Sequence, residues 1–394
     1  WFLKFVNWEN QIDLISNDVP APGYLSSRAR KVMINSRAQK TRVAVALSGG
    51  VDSSVAAAIL VDQGYDVFGI MLRLWSEPGQ ESYNRCCTPD SMALAKQVAA
   101  QLEIPFYPID AKNVFYDQVV EGFINDYMNG ITPNPCLHCN RHIRWEFMLN
   151  HALAFEAEYM ATGHYARIKS KNGQIRLLKA VDERKDQSYV LHVLNQQQLS
   201  RALFPLGEYS KDEVRQLARD FTLPVAERND SQDLCFLGDG DYREFLSRNS
   251  DQESPEGKII NHQGELLGEH GGLANYTIGQ RRGLGVSSTI PLYVMDKDLE
   301  SNILIVGPKN QLARDRLWAE NVNWVSIHQP VESFHAQVKI RYKSSEAPAT
   351  VIPTGEDSVE VLFDHPVQDI TPGQAAVFYE GEQCLGGGII QRSA

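Results

Sequence analysis

The 394-residue chain has no run of about 18 or more apolar residues, so no membrane-spanning helix, and no membrane partner, is expected. Basic charge is in short supply. Against 49 Asp and Glu stand 38 Lys and Arg, a net charge of −11, which excludes a protein that coats nucleic acid indiscriminately. Local basic surfaces remain compatible with that balance. Cysteine is sparse as well: six in this length exclude a disulfide scaffold. There is no Gly-Lys-Ser/Thr phosphate loop, no internal repeat and no low-complexity tract. The first Met is Met33, and residues 1–40 read as an N-terminal extension outside the fold, disordered or an artefact of translation. Glu9, Asp13 and Asp18 fit poorly with an acid-poor transit peptide, so a cytoplasmic location is expected, with an organellar one as the alternative.

What is present reads first as an α/β protein of several units. Apolar runs at Val43–Leu47, Val67–Leu72, Phe106–Ile109 and Tyr159–Thr162 suit buried parallel strands. Helical stretches separate them: Val55–Val61, a segment opened by Thr88-Pro89 and ending near Leu102, and Val114–Met128. Beyond Phe245 close-set turn signals suggest a small, mostly β middle unit. From about Gln311 onward, period-2 runs such as Val338, Ile340 and Tyr342 predict a C-terminal β-barrel. The expected divisions are 41–240, 241–308 and 309–394.

The sharpest motif is Ser48-Gly49-Gly50-Val51-Asp52-Ser53-Ser54, between the first strand and the first helix. Glycines let backbone pass close to phosphate oxygens, and a helix N-terminus offers N–H donors and positive dipole. The serines add hydroxyls, and Asp52 suits a Mg2+ ion on a pyrophosphate. The bland alternative is a Gly-Ser turn. The loop resembles the PP-loop of ATP pyrophosphatases, which cleave ATP between the α and β phosphates and adenylate an oxygen.

The cysteines narrow this further. Thr132-Pro133-Asn134-Pro135-Cys136-Leu137-His138-Cys139-Asn140-Arg141 predicts an extended entry and a helix from near Asn140 through Leu149. Cys139 would then sit near a helix N-terminus beside Arg141 and His142, both of which favour thiolate. Cys235 lies among polar turn residues. Buried structural thiols are the alternative for both; core or loop thiols are the default for Cys86 and Cys87, and Cys384 reads as structural.

Six segments in order now resemble the tRNA-specific 2-thiouridylase family: Ser48–Ser54, Asn134-Pro135 with Cys139-Asn140, Thr162–Arg167, Lys185–Tyr189, Ser231–Phe236 and Tyr276–Gly285. The likeness spans nearly all of residues 42–394. It implies ATP held by Ala46, Leu47, Ser48, Gly49, Gly50, Val51, Asp52 and Ser53, with Leu72 and Gly163 on the adenine side. It implies the wobble uridine, position 34, of the tRNAs for Lys, Glu and Gln as target. A sulfur-donor protein, such as a cysteine desulfurase or relay protein, would load Cys235 as a persulfide. Cys139 would act as second cysteine, attacking C2 or resolving the persulfide into a Cys139–Cys235 disulfide. The implied tRNA contacts are Asn134, Pro135 and Cys136, then His164, Lys185, Asp186 and Gln187, and finally Arg341, Tyr342 and Gln374. Lys339, Arg341 and Lys343 are expected on one strand face, with Arg144, Arg281 and Arg282 as further basic contacts.

The sequence departs from the family at Cys136, where an aspartate is common. Cys136, Cys139 and Cys235 would suit a [4Fe–4S] cluster with an open position, and a zinc site would add His138. Cluster and persulfide remain open alternatives. Another PP-loop ligase, joining a small molecule to an amine, would need no cysteine pair. A non-catalytic iron–sulfur or RNA-binding protein would not need Asp52.

Overall fold

The computed structural model describes residues 40–79, 88–229, 234–237, 241–250, 252 and 254–392. Cys86, Cys87, the 1–39 stretch and the Ser231–Asp233 part of the Cys235 motif lie outside the described residues.

The first unit is a parallel sheet built from β1 (Arg42–Ala46), β2 (Asp66–Arg73), β3 (Phe106–Asp110), β4 (Tyr159–Ala161) and β7 (Ala202–Leu203), in the order β3-β2-β1-β4-β7. Helix α1 (Val51–Asp62) is buried over nearly its whole length, which explains a sequence apolar on every side. Helix α2 (Pro89–Gln101) starts where the sequence says: the Thr88 side chain accepts from the Ser91 N–H, and Pro89 needs no donor there. The chain winds outward from β1 through β2 to β3, then returns to place β4 on the other side of β1. The C-terminal ends of β1 and β4 therefore flank a topological switch point, where such sheets leave a crevice.

Two long helices cover this sheet. In α3, Lys112–Phe115, Tyr116–Val120 and Glu121–Met128 run on as one, and in α4 so do Pro135–His138, Cys139–Met148 and Leu149–Ala154. Both widen in the middle, with Glu121 N–H reaching Tyr116 O and Leu149 N–H reaching Arg144 O, five residues back. Helix α4 corrects the expected start at Asn140. It opens at Pro135, so Cys136 lies in the first turn and Cys139 one turn further in. Pro135 suits a first helical position because its missing donor would be orphaned anyway, and the chain uses it so.

The hairpin β5 (Arg167–Lys171) and β6 (Gln174–Leu178) belongs in sequence to the first unit but pairs through β6 with β17 (Gln383–Ile390). After it come the single turns α5 (Ser188–Leu191) and α6 (Gln196–Leu199), α7 (Lys211–Asp220) and α8 (Tyr242–Asn249). The middle unit is a four-stranded sheet in the order β10-β11-β8-β9, from β8 (Gly257–Asn261), β9 (Leu266–His270), β10 (Leu292–Asp298) and β11 (Ile303–Pro308).

The C-terminal unit is a closed six-stranded barrel. Strands β12 (Arg314–Asn323), β15 (Val359–Val367), β14 (Ala347–Pro353), β13 (Phe334–Lys339), β16 (Ala375–Glu380) and β17 follow in that order, and β12 pairs back with β17. Alternation along β16 sorts its residues: Ala376 and Phe378 fill the barrel, while Ala375, Val377 and Tyr379 join the large core shared with the first unit. The expected basic strand face does not form. β13 ends at Lys339, and Arg341, Tyr342 and Lys343 lie in the turn that follows.

Candidate functional site

The nucleotide loop fills the crevice at the switch point. Gly49 adopts φ 72°, and a Cβ there would stand 2.3 Å from the Ser91 carbonyl oxygen, so only glycine fits. Gly50 caps α1 in an extended conformation with no side-chain bond, leaving the first-turn donors to a ligand. Ser53 Oγ accepts from the Ser48 N–H at 3.1 Å, and Ser54 Oγ donates to the Gly50 carbonyl at 2.7 Å. Ser53 and Ser54 thus shape the loop as well as offering hydroxyls. Gly163, at the end of β4, has its own steric reason: a Cβ would meet Ser53 N at 2.8 Å and Asp52 C at 2.9 Å. Ala46 and Leu47 lead into the loop, and Leu72 is buried at the end of β2.

Asp52 projects from the first turn of α1. Its Oδ1 accepts from Lys211 Nζ at 2.7 Å and from the Tyr165 hydroxyl at 2.8 Å. Lys211 is buried and sits at the first position of α7, where a cation opposes the helix dipole. The ion pair with Asp52 and a 5.9 Å approach to the Tyr165 ring offset that cost. Sequence reading missed both Lys211 and the Tyr165 hydroxyl. The visible signal was Ser210-Lys211-Asp212-Glu213, a capping box with a lysine where an acidic residue is preferred.

The residue just before Tyr165 links the loop to the cysteine helix. His164 is buried, with Nε2 at 2.8 Å from Arg144 Nη1 and Nδ1 at 2.8 Å from Thr162 Oγ1. Arginine can only donate, so Nε2 accepts and the proton resides on Nδ1, donated to Thr162. Burial, then the Arg144 charge, push the His164 pKa well below the ordinary histidine value, so the ring is neutral. Arg144 belongs to α4, the helix of Cys136 and Cys139.

Cys136 is exposed, Cys139 and Cys235 are half-buried, and all three are thiols. Cys139, Cys235, Leu234 and Leu237 pack on the shared core, and the neighbouring Phe236 anchors the Cys235 segment between Phe115, Phe123 and Phe245. Asn140 is buried, donates to the Cys136 carbonyl at 2.9 Å and so steadies the first turn of α4. Cys136, Cys139 and Cys235 do not converge as a metal-ligand group, since among the described residues no three His, Cys, Asp or Glu side chains do. His138 supplies no fourth ligand on the same ground, so this arrangement does not fit a cluster or a zinc ion.

The barrel reaches the same place. Gln374 Nε2 donates to the carbonyls of Thr132 at 2.9 Å and Pro133 at 3.1 Å, fixing the chain that delivers Asn134, Pro135 and Cys136. The Tyr342 phenol is pushed up to about 12 by burial, then by the nearby Asp186 carboxylate and Cys136 sulfur. Arg341 is half-buried and donates to the Ile278 carbonyl and Thr371 Oγ1, holding the middle unit to the barrel. Asp186 is buried and accepts from the N–H groups of Ala180 and Ser188 and from Ser188 Oγ at 2.7 Å. Gln187 exchanges bonds with the Tyr165 backbone, while Lys185 is half-buried at the rim of the same turn. Cys384 is fully buried, and burial pushes its thiol up, an inert position. Arg281 and Arg282 are part of an exposed turn of the middle unit.

Three family models match in succession: the tRNA methyl transferase HUP domain over residues 41–239, the tRNA methyl transferase PRC-barrel domain over 243–308, and the aminomethyltransferase beta-barrel domain over 314–390. Among curated proteins, the chain is 47% identical over 359 residues to the tRNA-specific 2-thiouridylase MnmA of Natranaerobius thermophilus, covering 89% of this chain and 98% of that one. It is 43% identical over 358 residues to the tRNA-specific 2-thiouridylase MnmA of Carboxydothermus hydrogenoformans, covering 90% and 98%. Among solved structures, a U34-tRNA thiolase NcsA from Methanococcus maripaludis with its [4Fe-4S] cluster aligns with a TM-score of 0.32 and 20% identity, over 54% of this chain and 66% of that one.

Proposed function

The chain belongs to the tRNA-specific 2-thiouridylase family, a family of tRNA sulfurtransferases, and from that premise we propose ATP-dependent 2-thiolation of the wobble uridine of tRNA by a cysteine persulfide. The observation that carries the reading is the short path from nucleotide loop to cysteine helix: Asp52 to Tyr165, then its neighbour His164 to Arg144 on the helix of Cys139. Nucleotide and sulfur chemistry are thereby held in one frame.

Each residue has a task. The first-turn N–H groups of α1 and the hydroxyls of Ser48 and Ser53 hold the phosphates. Asp52 suits a Mg2+ ion on the pyrophosphate, which would neutralise its charge as it leaves. The uridine O2 attacks the α phosphorus, the α–β bridge breaks, and pyrophosphate departs. Adenylation is needed because a uridine carbonyl is a poor electrophile. A Cys235 persulfide, ionised near neutral pH, then attacks C2, and AMP leaves with the former O2. The Cys139 thiolate attacks Cys235 Sγ and breaks the sulfur–sulfur bond. That gives 2-thiouridine and a Cys139–Cys235 disulfide, which an external dithiol must reduce. Neutral His164, the Asn134–Cys136 turn and Tyr342 surround the base, and the Lys185–Gln187 turn and the barrel carry the anticodon stem. Residues 41–240, 241–308 and 309–394 serve as nucleotide, linking and tRNA-binding units.

Mass spectrometry of nucleosides from tRNA treated with the chain, ATP, magnesium and a persulfide donor tests this. We expect 2-thiouridine with the wild type and at least 100-fold less with Cys235→Ser. No 2-thiouridine under any of these conditions would remove the assignment.

A further inference from the structure

The segment that leads to Cys235 grips the nucleotide loop from behind. Arg228 lies seven positions before that cysteine, and its Nη1 donates to the Gly49 carbonyl at 2.6 Å. Its Nη2 donates to Ser91 Oγ at 2.8 Å, on the capped first turn of α2. The Arg228 carbonyl is itself held, by Arg215 Nη1 at 3.1 Å, and that guanidinium also reaches the Ala226 carbonyl. Arg215 stands one turn along α7 from Lys211, the lysine that holds Asp52. The contacts close a ring: nucleotide loop, α7, the stretch from Ala226 to Arg228, and nucleotide loop again.

The bond to the Gly49 carbonyl has a specific consequence. In a trans peptide the carbonyl and the following N–H point in opposite directions. Gly49 and Gly50 flank this peptide, and glycine readily takes up the backbone angles on either side of a flip. Nothing in the two residues alone decides which way the Gly50 N–H faces. A charged donor on the Gly49 carbonyl, Arg228 Nη1, itself held in place by the bond from Nη2 to Ser91, decides it, directing the Gly50 N–H away from Arg228.

We infer that Arg228 is a positioning residue that locks the Gly49–Gly50 peptide in its phosphate-binding orientation. This rests on the reading of Ser48–Ser54 as a nucleotide loop. A phosphate that engages the Gly50 N–H strengthens the same orientation that Arg228 holds.

The test uses the full chain without tRNA. Inorganic pyrophosphate and adenosine are titrated separately by calorimetry into the wild type, Arg228→Met and Ser91→Ala. Arg228→Met should weaken pyrophosphate at least tenfold while adenosine stays within twofold, a split that a general loss of structure would not give. Ser91→Ala removes the second anchor only and should weaken pyrophosphate two- to fivefold, so a test remains if Arg228→Met folds poorly. The inference is overturned if either variant binds pyrophosphate as the wild type does. A wild type that binds neither pyrophosphate nor ATP removes the nucleotide reading itself.

Discussion

Lys211 and Asp52 form a pair whose two members are not equally replaceable. The lysine side chain is 8% exposed and the aspartate 34%. Removing the carboxylate takes its ion-pair partner from a buried ammonium. Removing the ammonium leaves a carboxylate that water can reach. Asp52→Ala should therefore cost about 2 kcal/mol of stability, and Lys211→Met under about 1 kcal/mol. The double variant should be more stable than Asp52→Ala alone, since the stranded charge is gone. Urea denaturation of the three variants checks the order, and a double variant no better than Asp52→Ala would show that the pair is not the cause. At this scale the sequence was only partly legible. Asp52 and the glycines announce themselves because phosphate chemistry needs those residue types at that spacing. Lys211 and Arg228 arrive from 159 and 179 positions away, where no local pattern marks them.

Between elements, the tightest constraint is the approach of β4 to the start of α1. Gly163 abuts the backbone of Asp52 and Ser53, which is not a flexible side chain that could step aside. Gly163→Ala should push the first turn of α1 off the crevice, weakening ATP at least tenfold and costing roughly 1–3 kcal/mol. Equilibrium dialysis with labelled ATP, beside a thermal melt, separates the two effects. ATP bound as in the wild type would mean the crevice tolerates the shift. Strands and helices of the first unit were legible because parallel strands are continuous apolar runs and α2 carries its own cap. The start of α4 was not. Asn134-Pro135 reads equally well as an extended entry or as a helix opening, and only packing of Leu137 and Ile143 into the shared core decides for the helix. The basic triplet Lys339, Arg341 and Lys343 misled for a similar reason: alternation continues past the last ladder bond of β13, while the backbone has already turned.

Over the whole molecule, the units are joined by side chains bonded to backbone carbonyls of another unit: Gln374 to Thr132 and Pro133, Asn323 to Leu194 at 2.8 Å, Arg341 to Ile278, Arg392 to Lys297. Such ties have no periodicity, so domain order was readable and docking was not. The last of them sits beside a buried charge that is poorly compensated. Lys297 on β10 is 1% exposed, and its Nζ has no hydrogen-bond partner. Burial, then the Arg392 charge, lower its pKa to about 7, with Asp296 opposing the shift. The unfolded chain, with an ordinary lysine, binds this proton up to a pKa near 10.5. Between about pH 7 and pH 10.5 the unfolded state therefore holds the proton and the native state does not, so this group makes stability rise with pH through that window. Below it both states are charged and the full burial cost applies. Lys297→Met, close in length and uncharged, should then stabilise the chain by ~2–4 kcal/mol at pH 7, with the gain shrinking toward pH 10. Denaturant midpoints of the wild type and Lys297→Met at pH 7, 8.5 and 10 give the comparison. A gain that stayed constant across the three would mean that packing, and not the buried proton, sets the difference, because methionine and neutral lysine would then differ by the same amount at every pH.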